Sequence, residues 1–125
     1  MDKNPKSNTP NQTEEVINHE QFEEMRDLLE EDFAGLIQVY ITDSEQRVAA
    51  LRNAQQTNDN TNGFEIAHAL KGASANLGTT QLVKLSSQLQ TLCREKRISD
   101  QAELIENIST ALQRAKQEIH QRLGQ

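Results

Sequence analysis

Both prolines of this 125-residue chain, Pro5 and Pro10, stand within its first ten residues. Proline lacks the N–H that continues a helix and clashes with the preceding turn, so it is the strongest local veto on helix formation. Residues 14–125 carry no such veto. They also lack the apolar/polar alternation of a half-buried strand, and their apolar residues recur at three- and four-residue steps instead. The chain after its first dozen residues is therefore expected to be helical throughout.

The periodicity divides it. Residues 18–29 form a short amphipathic segment with Phe22, Met25, Leu28 and Leu29 on one side and Asn18 as its cap. A longer helix follows, its apolar set being Phe33, Leu36, Ile37, Tyr40, Ile41, Val48 and Leu51. Residues 55–63 (QQTNDNTNG) read as a loop, and 64–77 as the next helix, stopped by Gly78. Thr79 or Thr80 then caps a helix carrying Leu82, Leu85, Leu89, Leu92 and Cys93. The stretch RISD (residues 97–100) breaks that pattern. A last helix starts near Asp100, with Leu104, Ile105, Ile108, Leu112, Ala115 and Ile119 inward. Four long amphipathic helices with short connections, preceded by a short one, predict an all-α fold: an antiparallel four-helix bundle with a short additional N-terminal helix. Residues 1–13 (MDKNPKSNTPNQT) have no apolar residue after Met1 and are expected to be a disordered polar tail, the bundle spanning 14–125.

Composition narrows the function classes. Apolar residues make up 34% of the chain and the longest apolar run is four residues, 48–51. That is far short of the ~20 needed to span a membrane or the 7–15 of a signal-peptide core. One cysteine, Cys93, cannot form an internal disulfide, which fits a reducing, cytoplasmic setting. Residues 1–32 hold ten acids and three bases, whereas 33–125 hold nine acids and ten bases, so the net charge of −6 belongs to the N-terminal quarter. A basic nucleic-acid-binding surface is not expected, although Arg94, Lys96 and Arg97 form a local basic cluster. Without a phosphate-binding glycine loop or room for an ATP-binding domain, an autonomous kinase is excluded.

The helix from Phe64 carries the chemistry. At ~100° per residue, with Phe64 at zero, Ile66, Leu70, Ala73 and Leu77 cluster around ~210° and define the buried side. His68 falls near ~40°, almost opposite, beside Phe64, Lys71, Gly72 and Ala75. An exposed histidine is ordinarily just polar surface. Gly72 is harder to account for, because glycine inside a helix costs ~1 kcal/mol relative to alanine. An accessible imidazole with a cation one turn away and a side-chain-free approach path meets the needs of phosphoryl transfer: a positioned nucleophile and neutralised equatorial oxygens. On the next helix, Gln90 and Arg94 share a shoulder outside the core seam with Val83 and Ser87, a shoulder that could border the His68 face.

The run Ala67-His68-Ala69-Leu70-Lys71-Gly72-Ala73-Ser74, followed by Leu77-Gly78 and Leu82, resembles the signature of histidine-containing phosphotransfer (HPt) domains. The resemblance is sharpest over residues 64–94. It implies that His68 accepts a phosphoryl group from a receiver-domain aspartate and passes it to another receiver. Lys71 would face the phosphoryl oxygens, and Gly72, with Phe64 and Ala75 beside it, would lie where the receiver packs. Gln90 matches a position that hydrogen-bonds near the imidazole in some members, and Arg94 a basic docking residue. Ala73 and Ser86 depart from the commoner Ser and Cys of the family, without touching the acceptor. The implied partners are receiver domains of hybrid sensor kinases and response regulators. Mg²⁺ is expected in the receiver, no cofactor or metal in this chain, and a monomer free of nucleic acid and membrane. The start at Met1 with a ragged polar tail favours a stand-alone protein.

Two other readings compete. A helical adaptor without phosphorylation would have no use for His68, Lys71 and Gly72 together. A metal-binding bundle could use Glu65-Ile66-Ala67-His68, the Glu-x-x-His spacing of di-iron proteins, but needs a second copy. Neither His19 nor His120 has a glutamate three residues before it, and neither is expected to have a role.

Overall fold

The computed structural model describes residues 15–124, and the predicted polar tail at 1–13 lies outside them. Five α-helices follow in order: α1 (His19–Leu29), α2 (Phe33–Gln56), α3 (Asn60–Leu77), α4 (Thr80–Arg94) and α5 (Ala102–Arg122), with single 3₁₀ turns at Glu30–Asp32 and Ile98–Asp100. No strand occurs among the described residues. Helices α2 to α5 form the antiparallel four-helix bundle. Arg52–Glu106 (2.8 Å) and Lys116–Glu45 (3.1 Å) tie α2 to α5 and fix their opposed directions. Both pairs are partly exposed and worth little to stability. The core does that work through a seam that includes Leu51, Leu70, Leu85, Leu89, Ile105, Ile108 and Leu112, all essentially inaccessible. None of the helices is long and apolar enough to cross a membrane.

Helix α1 closes the end of the bundle where α3 finishes and α4 begins. Asn18 caps it, its Oδ1 accepting from the Gln21 N–H at 2.9 Å. Phe22 is fully buried and meets Phe33 edge-to-face at 5.2 Å, while the Arg122 guanidinium lies over its ring, 5.4 Å from the centroid. His19, expected to have no role, accepts from Arg122 Nη1 at 2.9 Å and so helps tie α1 to the last turn of α5. Gly78 ends α3 in the left-handed region (φ 77°), and its carbonyl accepts from the Asn18 N–H at 2.7 Å. A Cβ there would lie 3.2 Å from the Asn18 carbonyl, so conformation and close approach both require glycine.

Several expectations need correction. The segment 55–63 is mostly helical: α2 runs to Gln56 and α3 starts at Asn60. Asp59 supplies the cap by accepting from the Asn62 N–H, and the Asn60 side chain accepts from the Ile98 N–H at 3.0 Å, so polar residues that look like a loop have helical duties. Gly63 lies inside α3 because Ile98 rests on it; a Cβ would fall 2.3 Å from Ile98 Cδ1. The RISD break is a connection, yet its Ile98 is wholly buried. Leu28 (77% exposed) and Leu36 (37%) are not part of the core seam. Thr79 takes the cap position of α4 without capping it, because its hydroxyl is used elsewhere.

That use is a buried hydroxyl cluster. Tyr40 Oη lies 2.9 Å from Ser74 Oγ and 2.8 Å from Thr79 Oγ1, and Thr79 Oγ1 also donates to the Ser74 carbonyl. It joins α2 to the α3–α4 corner. Burial pushes the Tyr40 phenol above its ordinary value of 10.0. A folded-state value raised above the unfolded one means that this contribution is complete below about pH 10 and is lost as pH climbs through the folded value. Tyr40→Phe should therefore lose ~1–3 kcal/mol at neutral pH. Its urea midpoint should also fall less than that of the wild type between about pH 8 and pH 11. Parallel declines would contradict this account of the cluster.

Candidate functional site

The buried side of α3 is centred about half a residue step from the expected one. Gly63, Ala67, Leu70, Ser74 and Leu77 face inward, while Ile66 and Ala73 are only half-buried at one edge. Small residues at 63, 67 and 74 let the neighbouring helices approach closely, and α3 packs most extensively on α4. His68 remains on the exposed face, as the wheel predicts.

Around His68 the expected residues converge. Gln90 reaches across from α4, its Nε2 3.1 Å from His68 Nδ1. It is not on the outer shoulder, as the wheel has it, but 4% exposed, closed in by the α3–α4 contact. The Phe64 ring lies parallel to the imidazole (5° between planes, centroids 6.3 Å apart), and the Arg94 guanidinium sits 5.1 Å from the Phe64 centroid. Arg94, Phe64 and His68 thus form a column along the α3–α4 border. Lys71 stands one turn after His68, half-buried at the same border, in an open groove with Ala75, Val83 and Ser87. Neither Lys71 nor Arg94 has a carboxylate partner among the described residues. Two cations without counter-ions beside an exposed imidazole provide positive potential for an anion.

Gly72 is exposed, and a Cβ built on it meets nothing within 4 Å. The fold of this chain therefore gives no steric reason for glycine there, unlike at positions 63 and 78. Ala75 is exposed further along the same face; its carbonyl accepts from Gln21 Nε2 of α1, which places the α1 end of the bundle beside the site. Beneath the column, Cys93 lies against the space above Gly63, its thiol pushed up by burial. The Tyr40–Ser74–Thr79 cluster, which holds the following turn of α3, escapes sequence reading. Its one available signal is a lone tyrosine at a core-period position whose hydroxyl needs a buried partner. No three His, Cys, Asp or Glu side chains among the described residues group to hold a metal ion.

A model of the family described as "Hpt domain" matches residues 35–118. The chain belongs to the Hpt domain family. The matched span starts early in α2 and ends in α5, so it covers the four-helix bundle with His68 near its middle. Membership supports a histidine phosphotransfer role. No curated protein sequence matches the chain. Among solved structures, the Hpt bundle is similar to histidine-containing phosphotransfer protein B (HptB) from Pseudomonas aeruginosa PAO1 at 22% identity, with a TM-score of 0.82 over 86% of this chain and 93% of that one. It is also similar to the histidine-containing phosphotransfer protein ZmHP2 from maize at 19% identity, with a TM-score of 0.77 over 87% and 90%. At these identities the likeness establishes the shared fold.

Proposed function

We propose that this Hpt protein is a phosphorelay intermediate that accepts a phosphoryl group on His68 from a receiver-domain aspartate and passes it to the receiver of a response regulator. One observation carries the reading: an exposed imidazole, held at Nδ1 by a buried glutamine, stands between two cations without counter-ions and next to a glycine the fold does not require. With Nδ1 engaged by Gln90, Nε2 is the ring nitrogen open to the partner, and it attacks in the tautomer that carries the ring proton on Nδ1. Its lone pair forms the N–P bond while the partner's aspartyl O–P bond breaks and the electron pair leaves on the carboxylate. A loose phosphoryl transition state spreads charge over three equatorial oxygens, so positioning and charge neutralisation account for most of the catalysis. On this reading Lys71 and Arg94 neutralise it, and they also steer an acidic partner, an effect felt chiefly in the association rate. The reading assigns Mg²⁺ to the partner's acidic pocket. It describes a cytoplasmic monomer.

A phosphorylated receiver mixed with this protein should yield a label that is acid-labile and base-stable, as a phosphoramidate bond is. Lys71→Ala should slow that transfer by roughly tenfold or more, since each ~1.4 kcal/mol taken from the transition state is a factor of ten. Its circular dichroism should stay that of the wild type, because Lys71 lies at the border of the core. Transfer at the wild-type rate, or a large loss of helix, would contradict the assignment of Lys71.

A further inference from the structure

Gln90 is the most buried polar side chain of the site, and its hydrogen bonding is incomplete. Its Nε2 lies 3.1 Å from His68 Nδ1, whereas its Oε1 is buried without a hydrogen-bond partner among the described residues. A half-turn of the terminal amide exchanges O and N with almost no change in shape. The two positions suit opposite states of the ring. With the amide nitrogen toward the imidazole, Gln90 donates to a lone pair on Nδ1. The ring proton of an unmodified neutral imidazole then sits on Nε2, which has no lone pair to attack with. With the amide oxygen toward it, Oε1 gains the partner it lacks by accepting from Nδ1–H, and Nε2 presents its lone pair outward.

Phosphorylation reverses the requirement. When Nε2 has formed its bond to phosphorus and the donor's bond has broken, the ring is a cation still bearing the Nδ1 proton. That proton passes to water, and Nδ1 is left with a lone pair. A donor at Nδ1 now stabilises the uncharged phosphorylated ring. This matters for lifetime, because reprotonating Nδ1 turns the imidazole into a better leaving group and speeds loss of the phosphoryl group to water.

We infer that Gln90 is a two-position positioning residue. Its amide oxygen faces His68 to select the nucleophilic tautomer, and its amide nitrogen faces the phosphorylated ring to prolong the phosphohistidine. A glutamate could serve only the first state and an apolar residue neither. The inference rests on the phosphorelay reading for its biological use, but its chemistry is testable without a receiver.

The experiment uses the full chain with ¹⁵N-labelled histidine, loaded with phosphoramidate, whose P–N bond breaks with release of ammonia as the His68 N–P bond forms. In the unmodified wild type, ring ¹⁵N shifts should place the His68 proton on Nδ1. After loading they should show Nδ1 unprotonated. Once loaded, Gln90→Glu, which can accept from Nδ1–H but cannot donate to the phosphorylated ring, should lose its phosphoryl group faster than the wild type by roughly 2- to 10-fold, the range of one hydrogen bond. Gln90→Met, similar in volume and without a buried charge, should both load more slowly and hydrolyse faster, and its unmodified ring should move toward the Nε2–H tautomer. A wild-type ring with its proton on Nε2 at rest would overturn the inference, as would a phosphohistidine lifetime unchanged in both variants. Failure of the relay reading would appear separately, as absence of transfer from phosphorylated receivers to a protein that phosphoramidate loads normally.

Discussion

His68→Gln should take up no label from a phosphorylated receiver in the presence of Mg²⁺, and none from phosphoramidate, at any time at which the wild type is fully labelled. The substitution removes the only nucleophile that the exposed face of α3 presents beside Lys71 and Arg94. It leaves the bundle alone: His68 is exposed, its backbone stays helical, and a glutamine amide can still pair with Gln90. Unfolding free energy should stay within about 0.5 kcal/mol of the wild type, the usual range for surface substitutions. Residual labelling of this variant at the wild-type level would mean that the acceptor lies elsewhere.

The second large effect separates the fold from its partner. Gly72→Gln should raise stability by up to ~1 kcal/mol, because a flexible residue in the exposed interior of a helix is replaced by a good helix former and no atom stands within 4 Å of the new Cβ. The same variant should slow transfer from a receiver by roughly a hundredfold, about 2.7 kcal/mol, because the side chain occupies the approach path one turn from the nucleophile. Phosphoramidate, a small donor, should label it nearly as fast as the wild type. A fall in thermal stability would show that the glycine serves the fold. Unimpaired receiver transfer would show that no partner packs there.

Much of this was legible from residue spacing because it depends on one helix at a time. The absence of proline after residue 10, the apolar steps of α2, α4 and α5, the Asn18 cap and the Gly78 stop are local signals, and the structure contains each. The outward placement of His68 is equally local, since one wheel settles which side of α3 is wet. What was hidden depends on two helices at once. Gln90 lies on the shoulder of its own wheel, outside the seam, and only the close approach of α3, permitted by small residues such as Ala67, buries it. The inward turn of Ser74 reflects its bond to Tyr40, a residue 34 positions away. Polar composition at 55–63 suggested a loop because a cap such as Asp59 and a tertiary ligand such as Asn60 use the same residue types as loops. Hydrophobicity also misplaced Leu28 and Leu36, which are exposed.

The central claim is that this bundle holds a phosphoryl group on one ring nitrogen. The most direct test loads the wild-type protein from a phosphorylated receiver, digests it under alkaline conditions that preserve phosphohistidine, and locates the modification by electron-transfer fragmentation. The account predicts one phosphorylated residue, His68, in every labelled molecule. Phosphate on His19 or His120, on a hydroxyl or carboxylate side chain, or on none of the residues would contradict it.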